Sequence, residues 1–163
     1  MEIAMKKPFL LWRDDWQLGL ECLDKQHMKL VDVLNQLHRF VVHEDTRHYS
    51  DRDQLCSQLK SLFDIARRHF KAEEGLMQAK GYPGLGDHRR EHLMLLAELR
   101  EHLREIETES KPFTVSTLTA LKHWQIDHVT NSDRLFVDFL KHQPLSDDGQ
   151  NFEAIAKVQA QPG

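Results

Sequence analysis

The chain has 163 residues, a length typical of one domain, and its hydrophobic (40%) and charged (29%) contents fit a soluble globule with one core. Its 22 basic and 26 acidic residues give a net charge of −4, and no run of lysine or arginine forms a stripe, so a nucleic-acid surface is not expected. No apolar run approaches the ~20 residues that a membrane span needs, so none is predicted.

The first segment, residues 1–19, shows no regular period and carries Trp12 and Trp16. We expect an irregular arm that packs against the rest of the fold. The first helix is predicted from about Leu20 to Val42, because its apolar residues recur at three- and four-residue spacing on one face.

The second helix is predicted from about Asp51 to Lys80, with Ser50 as its N-cap and Gly81 as the residue that ends it. The third is predicted from about Asp87 to Thr108 by the same apolar spacing. Since both helices exceed twenty residues and their connection is short, we expect them to be antiparallel neighbours.

The fourth helix is predicted to begin at Thr114 or Ser116 and to run to Lys141. No segment alternates with a period of two, so the fold class is all-α: an up-down antiparallel four-helix bundle over residues 1–143, arm included. The tail, residues 144–163, either docks as a short helix or frays, and the sequence does not decide between the two.

Metal-ligand side chains lie on the apolar face of every predicted helix. The seven candidates are His27, His69, Glu73, His88, His92, His128 and Asp133. The four-residue steps from His69 and from His88 return the next donor to the same face one turn on. The five-residue step from His128 to Asp133 does not, so it needs either a local adjustment of the helix or a carboxylate that reaches a different ion.

One such pair among 11 histidines is weak support, because a histidine beside leucines is more often a satisfied core residue. Agreement among four helices is stronger, since burying so many polar groups without compensation costs ~1–3 kcal/mol each. The sequence therefore predicts a metal cluster. The other histidines are predicted at the surface or the edge of the core: His38, His43, His48, His102, His123 and His142.

These residues carry a resemblance to the bacterial hemerythrins, from Trp12 to about Lys141. The matching pieces are Trp12, Gly19, Asp24 to His27, His69 to Glu74, Met77, Tyr82-Pro83, His88, His92, Trp124, His128 and Asp133. The resemblance implies a non-haem di-iron centre with an oxide or hydroxide bridge. One iron would take His88, His92 and His128, the other His27 and His69, and Glu73 and Asp133 would bridge them.

This donor set leaves one coordination position open, on the iron with two histidines, and the resemblance implies that O₂ binds there end-on. The expected function is O₂ storage, delivery or sensing, without enzymatic activity. Four residues are expected to line the O₂ pocket: Leu30, Phe70, Trp124 and Gln125. Side chains alone do not name the metal, so zinc and manganese stay open.

Gln125 departs from the family pattern, which usually has leucine after the tryptophan of the fourth helix. A glutamine there would donate a hydrogen bond to the bound ligand or admit water, unless it rotates toward a neighbouring helix. A polar Gln125 near the site favours the alternative function: a redox or O₂ sensor, or a di-iron peroxidase or oxidase.

Two further expectations concern location and partners. The start of the chain has too short an apolar run for a signal peptide, and Cys22 and Cys56 are far apart and in no CxxC motif, which fits the reducing cytoplasm. The first connection, roughly His43 to Ser50, and the tail are candidate surfaces for a protein partner. The sequence does not indicate an oligomeric state.

Overall fold

The computed structural model describes residues 7–42 and 49–142, with side chains in the second range from residue 52 onward. The described residues are helical apart from the turns and most of the arm, which contains one short 3-10 helix (Asp14–Trp16). The helices are α1 (Glu21–Val42), α2 (Tyr49–Ala79), α3 (Leu85–Glu107), α4 (Val115–Asp127) and α5 (Arg134–Lys141), with a π-helical segment (His128–Asp133) joining α4 to α5. Two predicted features lie outside the described residues: most of the first connection, with His43 and His48, and the tail 144–163.

Ion pairs at the two ends of α2 and α3 fix their relative direction. Arg52, near the start of α2, pairs with Glu109, just beyond the end of α3. Glu74, near the end of α2, lies 2.9 Å from Nε of Arg89, near the start of α3. The two helices are therefore antiparallel, and α1 packs against both α2 and α4. The predicted all-α, up-down four-helix bundle is confirmed.

The end of α2 follows the predicted stop signal. Gly81 has φ +64°, its N–H donates to the Gln78 carbonyl, and the Tyr82 N–H donates to the Met77 carbonyl. This pair of bonds is a Schellman motif, which satisfies the last carbonyls of the helix. Because the turn leads directly into α3, that helix begins at Leu85, two residues earlier than predicted.

The predicted N-caps have different outcomes. Thr114 caps α4: its backbone is extended, and its hydroxyl oxygen accepts the Thr117 N–H at 3.3 Å. The prediction for Ser50 is wrong, because α2 already begins at Tyr49 and Ser50 lies inside its first turn. Capping preference alone does not fix the residue at which a helix begins.

The arm packs against the bundle as predicted. The buried Asn35 of α1 accepts the Leu10 N–H at 2.9 Å and donates to the Leu10 carbonyl at 2.8 Å. Asp24 accepts the N–H groups of Leu18 and Gly19 and so fixes the entry into α1. The two tryptophans of the arm, Trp12 and Trp16, contact the core.

The main apolar core includes four almost fully buried leucines, one from each helix of the bundle. This leucine layer consists of Leu37, Leu59, Leu99 and Leu118, all at most 1% exposed. Leu37, Leu59 and Leu118 each lie ten residues from a histidine of the predicted cluster, a rise of about 15 Å along a helix, and Leu99 lies seven residues from His92, a rise of about 10 Å. None of the described helices is both long and apolar enough to cross a membrane.

Candidate metal centre

The structure brings all seven predicted donors together inside the bundle, where none is more than 4% exposed. Their ligand atoms form two groups, and within each group the atoms lie within 4.8 Å of one another. The first group, called the three-histidine half below, is Glu73, His88, His92, His128 and Asp133. The second, the two-histidine half, is His27, His69, Glu73 and Asp133. The two carboxylates belong to both halves.

All five imidazoles point Nε2 toward the cluster. His88 Nε2 and His92 Nε2 lie 3.1 and 3.3 Å from Glu73 Oε2. Across the two halves, the same oxygen is 3.9 Å from His69 Nε2. Glu73 therefore lies where it faces donors of both groups.

Asp133 lies between the halves with one oxygen toward each. Its Oδ1 is 3.1 Å from His128 Nε2 and 3.3 Å from His88 Nε2, whereas its Oδ2 is 3.2 Å from His27 Nε2. This is the arrangement that a bridging carboxylate requires.

The π-helical segment explains how His128 and Asp133 meet. A π-helix closes hydrogen bonds over five residues rather than four, so a five-residue step returns a side chain to the same face. The segment runs from His128 to Asp133. Of the two possibilities left open by the sequence, the local adjustment is present, and it also places the second oxygen of Asp133 toward the other half.

The outer nitrogens of three imidazoles donate to side chains of a neighbouring helix. His69 Nδ1 donates to Gln26 Oε1 at 2.8 Å. His92 Nδ1 donates to Glu74 Oε1 at 2.9 Å, and His128 Nδ1 donates to Glu91 Oε2 at 2.8 Å. Such bonds fix the tautomer that leaves the Nε2 lone pair facing inward.

The arrangement of the inner atoms fits bound cations. His92 Nε2 and His128 Nε2 are only 2.9 Å apart, and both carry an inward lone pair when their outer nitrogens hold the protons. Two lone pairs at this distance need a proton or a metal ion between them. Glu73 Oε1 and both oxygens of Asp133 are buried and accept no hydrogen bond from the described residues, so they are also available to a metal.

Burial and the local charges set the protonation of the ion-free centre. Burial, with the neighbouring His27, lowers the pKa of His69 to about 3. Burial and the charge of Glu73 act to raise the pKa of Asp133, but the charge of His128 and close contacts with the imidazoles of His128 and His27 hold it at about 2. At neutral pH these two groups therefore have the protonation state that binds metal.

The pKa of His128 is shifted the other way. Burial acts to lower it, but the charge of Asp133 and the close contact with that carboxylate raise it to about 9. A cation that enters the three-histidine half therefore displaces a proton from this imidazole.

Aromatic side chains cover the imidazoles. Phe70 stacks on His92 with centroids 3.8 Å apart and lies 5.5 Å from His69, so it contacts both halves. Trp124 stacks on His128 at 4.6 Å, against the three-histidine half. Trp12 of the arm lies 5.9 Å from His27, against the two-histidine half.

The other two predicted pocket residues are buried. Leu30 follows His27 by one turn of α1 and belongs to the apolar core. Gln125 is 7% exposed and lies one turn before His128. The role of Leu30, Phe70, Trp124 and Gln125 as an O₂ pocket stays a prediction.

The histidines predicted to lie apart from the cluster do so where they are described. His38 stacks on Phe9 at 4.3 Å, and His102 contacts Glu105 at the opposite end of α3 from the centre. His123 and His142 are exposed.

Sequence reasoning missed the function of the outer partners Gln26, Glu74 and Glu91. Each is next in sequence to a predicted donor, but its partner is a histidine on the following helix. The signal was a polar residue beside a ligand, and only the packing of the helices shows which imidazole it faces.

A buried cluster of five histidines and two shared carboxylates, within an up-down bundle, defines this chain as a helical protein with side chains able to hold metal. The family model described as the hemerythrin HHE cation binding domain matches residues 18–140, which include all seven donors. The chain belongs to the hemerythrin family.

Curated relatives agree with this assignment. The chain is 26% identical over 132 residues to the bacteriohemerythrin of Stenotrophomonas maltophilia, a match that covers 81% of the chain and 82% of the relative. It is 29% identical over 113 residues to that of Methylococcus capsulatus, with coverages of 69% and 82%. One of the hemerythrins of Sipunculus nudus is 26% identical over 140 residues, with coverages of 86% and 100%.

The fold also matches solved structures. The crystal structure of wild-type hemerythrin superposes with a TM-score of 0.72 at 24% identity, covering 80% of this chain and 96% of that one. A variant of hemerythrin with one leucine replaced by alanine gives a TM-score of 0.73 at the same identity and coverages. At this identity the likeness concerns the fold.

Proposed function

We propose that this chain is a non-haem di-iron protein that binds O₂ and serves in its storage, delivery or sensing rather than in catalysis. The observation that carries the proposal is the pair of donor groups that share Glu73 and Asp133. Two ions held by common carboxylates are close enough to act together, as a two-electron centre must.

His88, His92 and His128 would hold one iron and His27 and His69 the other, with Glu73 and Asp133 bridging. When bound, the iron pair would supply two electrons and, on the iron held by His27 and His69, an open coordination position for O₂. The inequality of the halves supports this assignment, because the two-histidine half offers four residues where the other offers five.

The donor set favours holding O₂ over activating it. Di-iron oxygenases and ferritin-like proteins use carboxylate-rich sites with Glu-x-x-His pairs, and this sequence contains no such pair. Five neutral imidazoles and two carboxylates donate less negative charge to the metal and so stabilise its higher oxidation states less.

The side chains around the cluster hold the ligand imidazoles in place and keep water away from them. The outer hydrogen bonds from His69, His92 and His128 hold the imidazoles in place. The side chains of Phe70 and Trp12 cover the imidazoles and exclude water from around them. A dry, rigid centre slows the loss of electrons to solvent, which reversible O₂ binding requires.

Metal analysis combined with an anaerobic-to-air optical titration tests the proposal. We expect two irons per chain and a colour change that reverses when O₂ is removed. Zinc or manganese as the only metal, or fewer than two ions per chain, would contradict the di-iron assignment. A single irreversible oxidation would contradict reversible binding.

Gln125 favours a second candidate function. This is either sensing of O₂ or of the redox state, or catalysis as a peroxidase or oxidase. Gln125 is 7% exposed and lies one turn before His128, and no hydrogen bond to its side chain occurs among the described residues. An amide without a protein partner can bond to a ligand or a water molecule.

Gln125→Leu separates the two functions, with Gln36→Leu at an exposed position of α1 as the control for the same substitution. If Gln125 admits water or protons, its replacement slows decay of the oxygenated form severalfold, while the control decays like the parent. An unchanged rate contradicts a role for Gln125. Turnover of peroxide with a reductant, faster than free iron gives, would establish the enzymatic alternative.

A further inference from the structure

We infer that the two halves of the centre hold their ions with unequal affinity and that Gln26 is the positioning residue that keeps the two-histidine half the weaker one. This rests on the proposed function in one respect, since it takes the cluster to hold two ions. It concerns side chains outside the ligand set, to which the donor pattern assigns no role.

The three-histidine half is supported from outside by two carboxylates. His92 donates to Glu74, and His128 donates to Glu91. Both carboxylates are themselves held: Arg89 Nε donates to Glu74 Oε2 at 2.9 Å, and Ser132 Oγ donates to Glu91 Oε2 at 2.7 Å. Two of the three imidazoles therefore have anionic, anchored acceptors.

The two-histidine half has no such support among the described residues. His69 donates to the neutral amide oxygen of Gln26, whose Nε2 lies 3.7 Å from Cys22 Sγ, a weak hydrogen bond. The outer nitrogen of His27 is buried and has no hydrogen-bond partner in the described part of the chain. The indole nitrogen of Trp12, which lies against His27, is likewise buried and without a partner there.

This difference changes how strongly each half binds a cation. Hydrogen bonds to a charged acceptor are roughly twice as strong as those to a neutral one, and a carboxylate behind an imidazole raises its basicity toward a metal. Replacing one such outer partner typically changes metal affinity by about 10–100-fold. The difference in donor number acts in the same direction.

The weaker half is also the one to which the proposed function assigns the open coordination position. Loss of its ion would leave the other half occupied and the O₂ site incomplete. Occupancy of the two-histidine half would then control whether the protein binds O₂. Gln26 contributes to this control because it gives His69 a neutral acceptor. Replacing it by glutamate keeps the shape of the side chain and changes only its charge.

Anaerobic titration of the metal-free full-length chain with Co²⁺, followed by the visible spectrum of the bound ion, tests the inference without O₂. We expect two resolved binding steps in the parent protein. Gln26→Glu should strengthen the weaker step about tenfold and leave the stronger step unchanged. Glu91→Gln should weaken the stronger step by about 10–100-fold and so assign it to the three-histidine half.

Gln36→Glu is the matched control, because it makes the same charge change at an exposed position ten residues further along α1. Thermal unfolding of each metal-free variant shows that the fold is retained. Two Co²⁺ ions bound in a single step, or the same isotherm for Gln26→Glu and Gln36→Glu, would overturn the inference and leave the two-ion site standing. Fewer than two ions in the parent would instead overturn the proposed two-metal site.

Discussion

The leucine layer and the candidate metal centre lie at two levels of one bundle, yet they contribute to its stability in opposite ways. Leu37, Leu59, Leu99 and Leu118 are as deeply buried as the seven donors. The leucines lose only apolar surface on folding, which is favourable by about 25 cal/mol per Å². The donors lose water around polar and charged atoms, and three of their carboxylate oxygens find no hydrogen-bond donor among the described residues.

Burial alone therefore says little about what stabilises a level of the bundle. Burial of the leucine layer is favourable by itself, whereas the buried charges of the donor layer are only partly compensated until a cation binds. A change in the first layer should therefore act on the fold whether or not metal is present. A change in the second should act mainly through the metal.

The largest effect is expected for Asp133→Asn. The substitution keeps the shape and removes the charge of a side chain that faces both halves, so metal affinity should fall by more than the roughly 10–100-fold typical of an outer partner. The metal-free variant should lose less stability than the metal-loaded one, but its loss should not be zero, because Asp133 is the charge partner of His128 in the ion-free centre. Metal content and thermal unfolding measure the two effects.

Asp127→Asn, at the exposed last residue of α4, is the control for this change and should keep both ions. If Asp133→Asn lowered stability equally with and without metal, the donor layer would be behaving like the leucine layer. The contrast between the two levels would then be wrong.

A smaller effect, on the fold alone, is expected for Leu59→Ala. Truncating a fully buried leucine costs about 2–5 kcal/mol, depending on how far the cavity collapses. The loss should be the same for the metal-free and metal-loaded proteins, because Leu59 lies about 15 Å from the donor layer. Denaturant unfolding of both forms measures it, and an unequal loss would show that the two levels are coupled.

Much of this architecture could be predicted from the sequence because single residues decide it. Gly81 ends α2 because a left-handed residue is needed there, and Thr114 begins α4 because its hydroxyl accepts a backbone N–H. The seven donors could be found because helical spacing places them on apolar faces.

What could not be predicted depends on packing between helices. The spacing of His128 and Asp133 showed that an adjustment was needed, but the π-helical segment that provides it depends on contacts with the rest of the bundle. The acceptors Gln26 and Glu91 precede predicted ligands in sequence but serve histidines on other helices. Sequence neighbours therefore do not identify these pairs.

The smallest effect is expected at the N-cap of α4, on the leucine side of the bundle. Thr114→Ala removes the hydroxyl that accepts the Thr117 N–H, and a lost N-cap costs about 0.5–2 kcal/mol. The distance of 3.3 Å is longer than the usual 2.9–3.0 Å, so we expect a loss near the lower end of that range. Thr114→Ser keeps an oxygen at the same place and should lose less stability.

Because the cap lies fourteen residues before His128, metal content should stay the same in both variants. A loss of metal in Thr114→Ala but not in Thr114→Ser would mean that the start of α4 sets the position of the donors, which would break the separation between the two levels.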